Sequence, residues 1–142
     1  MRSLAFLALA VLSSACAGEA PVNRAIVAAV EKGPGTRLVL AEHTGFPWDR
    51  VCILGPYTSD DTVDSLTGVQ GAAGQAHGIR SSDGINVLMF VREDRIAASV
   101  AHARNRGDFG PELVGKCYSR EQANFSVRVP PPNSWGNIGP EQ

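Results

Sequence analysis

One cluster of basic side chains has a spacing that suits the binding of an anion. His102, Arg104 and Arg106 occupy alternate positions just beyond a run of β-type residues. Alternate residues of a strand project to one side, so a strand continued to residue 106 would bring an imidazole and two guanidinium groups together. Guanidinium groups bind carboxylates and phosphates through paired hydrogen bonds. These three residues are our candidates for a ligand-binding site, but we favour the simpler alternative, a solvated strand end with an arginine paired to Asp108.

A second constellation, Trp48-Asp49-Arg50, places an acid beside a base next to an indole. This arrangement could order a ligand. The structural alternative is that Trp48 closes the edge of a sheet while Asp49 caps the turn after Pro47 or pairs with an arginine. We expect the structural role.

Residues with metal-binding or catalytic side chains lack the spacing of known motifs. The carboxylates of Asp60, Asp61 and Asp64 are not followed by a calcium-loop pattern. We expect them to stabilise the N-terminus of a helix through its dipole. The histidines do not have zinc-motif spacing. Ser81, Ser82 and Asp83 with His102 would suit hydrolysis, but no G-x-S-x-G elbow is present. The sequence therefore predicts no metal, no cofactor and no catalytic residue.

The N-terminus is typical of an export signal. Arg2 precedes nine apolar residues from Leu4 to Leu12, and small residues follow at 13–17. This is the pattern of a secretory signal peptide, which we assign to residues 1–17.

Two routes of processing remain open. Residues 12–16, LSSAC, resemble a bacterial lipobox with Ser13 in the place of the usual aliphatic residue, so that Cys16 would carry lipid as the first mature residue. The alternative is cleavage after Ala17, which discards the cysteine. We predict lipidation at Cys16 and, from Ala17 beside it, an outer-membrane lipoprotein facing the periplasm. Cleavage without lipid would give a soluble periplasmic or secreted protein.

Either route leaves Cys52 and Cys117 as a pair in an oxidising compartment. A disulfide is the expected state of such a pair. Neither residue belongs to a C-x-x-C motif, so the usual spacing for redox catalysis or zinc is missing. We predict a Cys52–Cys117 disulfide, with two buried free thiols as the alternative.

Hydrophobic patterning predicts the elements that position these residues. A first helix is expected over 23–32 with Asn23 as its N-cap, and a second begins at a capping box formed by Thr58 and Asp61. The glycine-rich segment 68–84 is expected to be a long mobile loop. Strands are predicted at 36–43 and 48–55, which we expect to pair as a hairpin. Two more are predicted at 85–91 and 96–103. A last strand, with one solvent-exposed (wet) face, is predicted within 117–129.

The resulting order, α-β-β-α-β-β-β, predicts an α+β protein. Its expected architecture has two layers, an antiparallel sheet of about five strands and two short helices. The single domain would span 18–129, and a Pro/Gly-rich tail at 130–142 would be loosely ordered.

Residues 46–58, FPWDRVCILGPYT, carry a resemblance to other proteins. The run resembles a W-D-x-V-C/Y-I-x-x-P-Y strand core found in small, mostly uncharacterised bacterial exported proteins and lipoproteins. It covers about a tenth of the chain and implies export and a strand that precedes a helix. It implies no reaction, cofactor or catalytic residue.

Composition limits the classes of function. With 142 residues, of which 44% are hydrophobic and 19% charged, the chain can bury a core. Its 13 Lys and Arg against 14 Asp and Glu give a net charge of -1. A protein that binds nucleic acid is expected to carry an excess of positive charge, so we predict no nucleic-acid partner. We predict a non-enzymatic envelope module that binds a protein or envelope component through its wet sheet face and mobile loop, held to the membrane by lipid on Cys16. The alternatives are a small secreted hydrolase and an immunity or inhibitor protein.

Overall fold

The computed structural model describes residues 19–142. The predicted signal peptide, the lipid on Cys16 and the alternative cleavage after Ala17 therefore lie outside the described residues. The described part contains the helices α1 (Glu19–Lys32) and α2 (Asp60–Thr67). Its strands are β1 (Arg37–Val39), β2 (Arg50–Leu54), β3 (Ile85–Arg92), β4 (Arg95–Ala103), β5 (Lys116–Ser119), β6 (Asn124–Val127) and β7 (Ile138–Pro140). The predicted α+β class, with antiparallel strands and two helices, is confirmed.

The seven strands of this part are divided between two antiparallel sheets, with orders β4-β3-β2-β5 and β1-β6-β7. The predicted hairpin between the first two strands is wrong, because β1 pairs with β6 while β2 lies between β3 and β5. Residues Leu40–His43 form a 3-10 turn directly after β1. The chain thus leaves the three-stranded sheet before it can turn back on β1, and the apolar β2 gains strand neighbours on both edges.

The two central strands of the four-stranded sheet, β2 and β3, are buried on both faces. One face, with Val51 and Phe90, packs against α1 and the three-stranded sheet. The other, with Leu54 and Met89, is covered by α2 and the glycine-rich segment. The face that the sequence predicts to be exposed, that of residues 124–128, belongs to β6 and therefore to the other sheet.

The glycine-rich segment is not an open loop, contrary to prediction. It forms 3-10 turns at Ala72–Gln75 and Ile79–Ser81. Ala72, Ala76 and Ile79 are buried against the sheet. Burial of these small and branched side chains provides the apolar contact that holds the segment in place.

The predicted strand within 117–129 is two strands in different sheets, β5 and β6, because the chain turns between them. Phe125 and Val127 are buried on one side of β6, as predicted, but Val129 lies beyond the strand and is 74% exposed. Ser126, on the side predicted to be wet, is also buried. β6 is the central strand of its sheet, which explains why it has little solvent-facing surface.

The C-terminal residues are more ordered than their composition predicts. β7 pairs with β6, and Ile138 is fully buried. Phe109 forms a β-bridge to Ile138 and packs edge-on against Phe125. The tail thus completes the core, because β6 needs a partner on its second edge.

The predicted disulfide is confirmed. Cys52 on β2 and Cys117 on β5 stand directly opposite each other and are bonded. Within residues 19–142, the helices are too short or too polar to cross a bilayer.

Candidate functional site

A cleft of about 600 Å³ between α1 and the end of β4 contains two of the three predicted ligand-binding residues. His102 and Arg106 line this α1–β4 cleft, whereas Arg104 does not. The remaining lining residues are Asn23, Arg24, Val27, Ala28, Glu31, Ala101 and Ala103. Most of the surface of this lining is apolar although five of its residues are polar or charged, and apolar surface with a few polar groups is typical of ligand sites.

Arg104 and Arg106 do not project to one side of a strand, because β4 ends at Ala103. Residues Arg104–Arg106 form a 3-10 turn instead. Nε and Nη2 of Arg104 donate to the Asp108 carboxylate at 2.7 and 3.0 Å, and Nη1 donates to the Asp83 carbonyl at 2.8 Å. The hydrogen bond to Asp108 raises the pKa of Arg104. The arginine–Asp108 pair considered as the simpler alternative is therefore present.

His102 forms the buried wall of the cleft and is 2% exposed. Its Nδ1 lies 2.8 Å from Oδ1 of Asn23, whose Nδ2 donates to the Ala101 carbonyl at 3.2 Å. Because the amide nitrogen is used in that bond, Oδ1 accepts the Nδ1 proton of His102. Nε2 is buried without a hydrogen-bond partner. Burial lowers the pKa of His102 and so opposes the positive charge that would assist anion binding.

Asn23 lines the cleft, although its position in the sequence predicts a different role. It was predicted as an N-cap but lies inside α1. One turn earlier, Glu19 accepts the Ala101 amide at 3.3 Å. The i, i+4 spacing of these two polar residues puts them on one helix face and was the signal available in the sequence.

Gly107 allows the turn after β4 to close against α1. Its φ is 145°, and a Cβ there would lie 2.8 Å from Cγ2 of Ile26 and 3.1 Å from Nε2 of His102. A larger residue would separate the turn from the helix. The glycine therefore permits the close approach of this turn to α1 and to His102.

A second pocket, of about 410 Å³, lies beside Trp48 and is called here the Trp48 pocket. Trp48 is 3% exposed, and its Nε1 donates to Oγ1 of Thr44 at 2.8 Å. The Arg120 guanidinium lies over the indole at 4.9 Å. The lining consists of Thr44, Gly45, Phe46, Pro47, Trp48, Arg92 and Arg120.

Asp49 caps a different turn from the one predicted. Its Oδ2 accepts the amide of Glu93 in the β3–β4 turn. No motif in the sequence marks Arg92 or Arg120 as a candidate. The polar run 119–122 between apolar segments was the available sign that Arg120 lies in a turn rather than in a strand.

The acidic residues of α2 serve the fold. Ser59 is the N-cap and accepts the Thr62 amide, so the predicted capping box at Thr58 is displaced by one residue. The Asp64 carboxylate accepts the amides of Gly71 and Ala73, both at 2.9 Å, and these bonds lower its pKa. No cluster of three or more His, Cys, Asp or Glu side chains suited to a metal occurs in residues 19–142.

The residues considered for hydrolysis do not share a site. His102 lines the α1–β4 cleft, whereas Ser81, Ser82 and Asp83 are absent from its lining.

Comparison with models of protein families, with curated proteins and with solved structures finds no significant match to this chain.

Proposed function

We propose that this chain is a non-enzymatic binding module of the bacterial envelope that receives an anionic partner in the α1–β4 cleft. The observation that carries the proposal is the charge of that cleft. Arg24 and Arg106 line it with Glu31 as the one carboxylate, and neither arginine forms an ion pair within residues 19–142. An envelope component or protein with an acidic group beside an apolar surface would complement both the excess positive charge and the apolar lining.

The surroundings of His102 favour binding over hydrolysis. A general base needs a free nitrogen within hydrogen-bond reach of its substrate. Nδ1 of His102 is bonded to Asn23, and Nε2 is buried. The cleft lining within the described residues also contains no serine or cysteine to act as a nucleophile.

Export of the protein is supported by the Cys52–Cys117 disulfide, which is compatible with an oxidising compartment. The signal-like pattern of residues 1–17 supports the same proposal. We place the mature chain in the envelope with Cys16 as its lipid anchor.

The lipid anchor is tested by labelling bacterial cells that produce the chain with radioactive palmitate. We expect label on the wild type and none on Cys16→Ala. A wild-type chain that is exported without label would refute the anchor and leave the soluble form.

The cleft is tested by blocking it. Ala28 lines the cleft, so the ring of Ala28→Trp would fill part of it. Ala97→Trp places the same ring at an exposed position outside the cleft. Both variants and Arg106→Gln are used to capture partners from a membrane-envelope extract. We expect the wild type and Ala97→Trp to retain one acidic partner that Ala28→Trp and Arg106→Gln fail to capture.

Equal capture of every partner by folded Ala28→Trp and Arg106→Gln would contradict the proposed cleft. Labelling of the wild type by a serine-reactive probe would favour the hydrolase alternative.

A further inference from the structure

The Trp48 pocket concentrates positive charge that the fold does not neutralise. Arg92 and Arg120 are the charged residues of its lining. Neither belongs to the ion pairs found in residues 19–142, which join Arg37 to Glu141, Arg80 to Asp60, Arg104 to Asp108 and Arg128 to Glu112. Two unpaired guanidinium groups at one pocket attract an anion.

Arg120 also has an unused donor inside the protein. Its Nη1 is buried and has no hydrogen-bond partner. The neighbouring Nη2 reaches only the Ala41 carbonyl, at 3.4 Å. A buried donor without an acceptor is unfavourable, and such groups call for a specific partner.

The guanidinium plane of Arg120 is held in position before any ligand binds. It lies over the indole of Trp48 in a cation–π contact, and the indole is fixed by Thr44 and by edge-on contact with Phe90 at 5.0 Å. A planar, preorganised guanidinium group suits the two oxygens of a carboxylate or phosphate.

We propose that the Trp48 pocket binds a small organic anion through its carboxylate or phosphate group, with Arg120 and Arg92 as the recognising residues. A pocket of about 410 Å³ leaves room for an organic body beside the oxyanion. The Trp48 pocket shares no lining residue with the α1–β4 cleft. Evidence against one of the two proposed sites would therefore leave the other unaffected.

Fluorescence of Trp48 reports directly on this pocket. The chain has two tryptophans, so Trp135→Phe leaves Trp48 as the only indole. This protein is titrated with inorganic phosphate and, separately, with acetate, against sodium chloride at matched ionic strength. We expect a saturable change with at least one of the two oxyanions and none with chloride, and the active probe identifies the preferred group.

Variants of the two arginines test the geometry on the same Trp135→Phe background. Arg120→Lys keeps the charge but loses the planar fork, and we expect about tenfold weaker binding. Arg92→Gln leaves the contact between Arg120 and Trp48 intact and should weaken binding to a similar extent. Arg95→Gln removes an exposed arginine outside the pocket and should bind as the parent does.

The proposal is overturned if neither oxyanion gives a saturable change beyond that of chloride. It is also overturned if folded Arg92→Gln and Arg120→Lys both bind with the parent affinity.

Discussion

Arg104 and Arg106 illustrate how two similar residues in one short turn acquire different roles. The Arg104 guanidinium is enclosed by Asp108, the Asp83 carbonyl and the ring of Trp135, 5.2 Å away. Arg106 is exposed and faces the α1–β4 cleft. The first arginine therefore serves stability, and the second is free to serve binding.

Substitution of the two arginines by alanine should separate these roles. Arg104→Ala leaves the mostly buried Asp108 carboxylate without its bidentate partner, and we expect a loss of about 1–3 kcal/mol of unfolding free energy. Arg106→Ala should change stability by less than about 0.5 kcal/mol while weakening partner capture. Urea denaturation measures both; equal losses would show that Arg106 is also required by the fold.

His102 should make stability depend on pH. Burial lowers its pKa in the folded state below the ordinary value of 6.5, so the unfolded chain takes up the proton first as pH falls. Stability should therefore be complete above about pH 7 and decrease as pH falls through 6.5 towards the folded pKa.

Thermal unfolding between pH 5 and pH 8 measures this effect. We expect the decrease to be smaller in His102→Gln, which keeps a side-chain amide near Asn23. His77→Gln, which changes a histidine on the surface at the edge of β4, should keep the wild-type slope. An unchanged slope in His102→Gln would assign the pH dependence to other groups.

Among the elements, α1 protects the outer edge of the four-stranded sheet with side chains in place of a strand. Glu19 accepts the amide of Ala101, and Asn23 donates to its carbonyl. The carbonyl of Ser99, two residues before Ala101 on β4, is hydrogen-bonded to the His77 ring. These bonds satisfy backbone groups that an exposed edge strand would otherwise offer to other chains.

The glycine-rich segment depends on α2 for its shape, through Asp64. We expect Asp64→Asn to speed hydrogen exchange at the amides of Gly71 and Ala73, because the neutral side chain can no longer accept two charge-assisted bonds. Asp61→Asn, on the same helix but without these bonds, is the matched control. Exchange measured by NMR that is equal in both variants would contradict this anchoring role.

Local patterns in the sequence were sufficient for some elements and not for others. The continuous apolar run of β2 predicts burial on both faces, and the even number of remaining cysteines predicts their bond; both are confirmed. The β1–β6 pair has no local signal, because it joins Leu38 to Phe125 across most of the chain.

The candidate sites were harder to predict for the same reason. The cleft exists because α1 lies on β4, an approach marked by the Asn23–His102 hydrogen bond between residues 79 positions apart. The Trp48 pocket depends on a turn that brings Arg120 over Trp48. The spacing of residues along the chain predicts neither of these contacts.

At the scale of the whole molecule, the disulfide joins residues 65 positions apart. Closing a loop of this length removes about 4 kcal/mol of unfolded-chain entropy. We expect the double variant Cys52→Ala, Cys117→Ala to lose stability of that order and to melt at the temperature of the reduced wild type. Equal melting of the variant and the oxidised wild type would show that the bond adds no net stability.

The same bond makes α2, β3 and β4 part of a covalent ring that begins at Cys52 and ends at Cys117, while α1, β1, β6 and β7 lie outside it. A protease that cuts once inside the ring, for example after the exposed Arg80, therefore releases no fragment. The nicked protein should run as one band on a denaturing gel without reductant and as two bands with it. A single cut outside the ring, for example after the exposed Glu121, should separate the C-terminal piece under both conditions. The ring therefore keeps the chain covalently joined after an internal cut, but not after a cut on its C-terminal side.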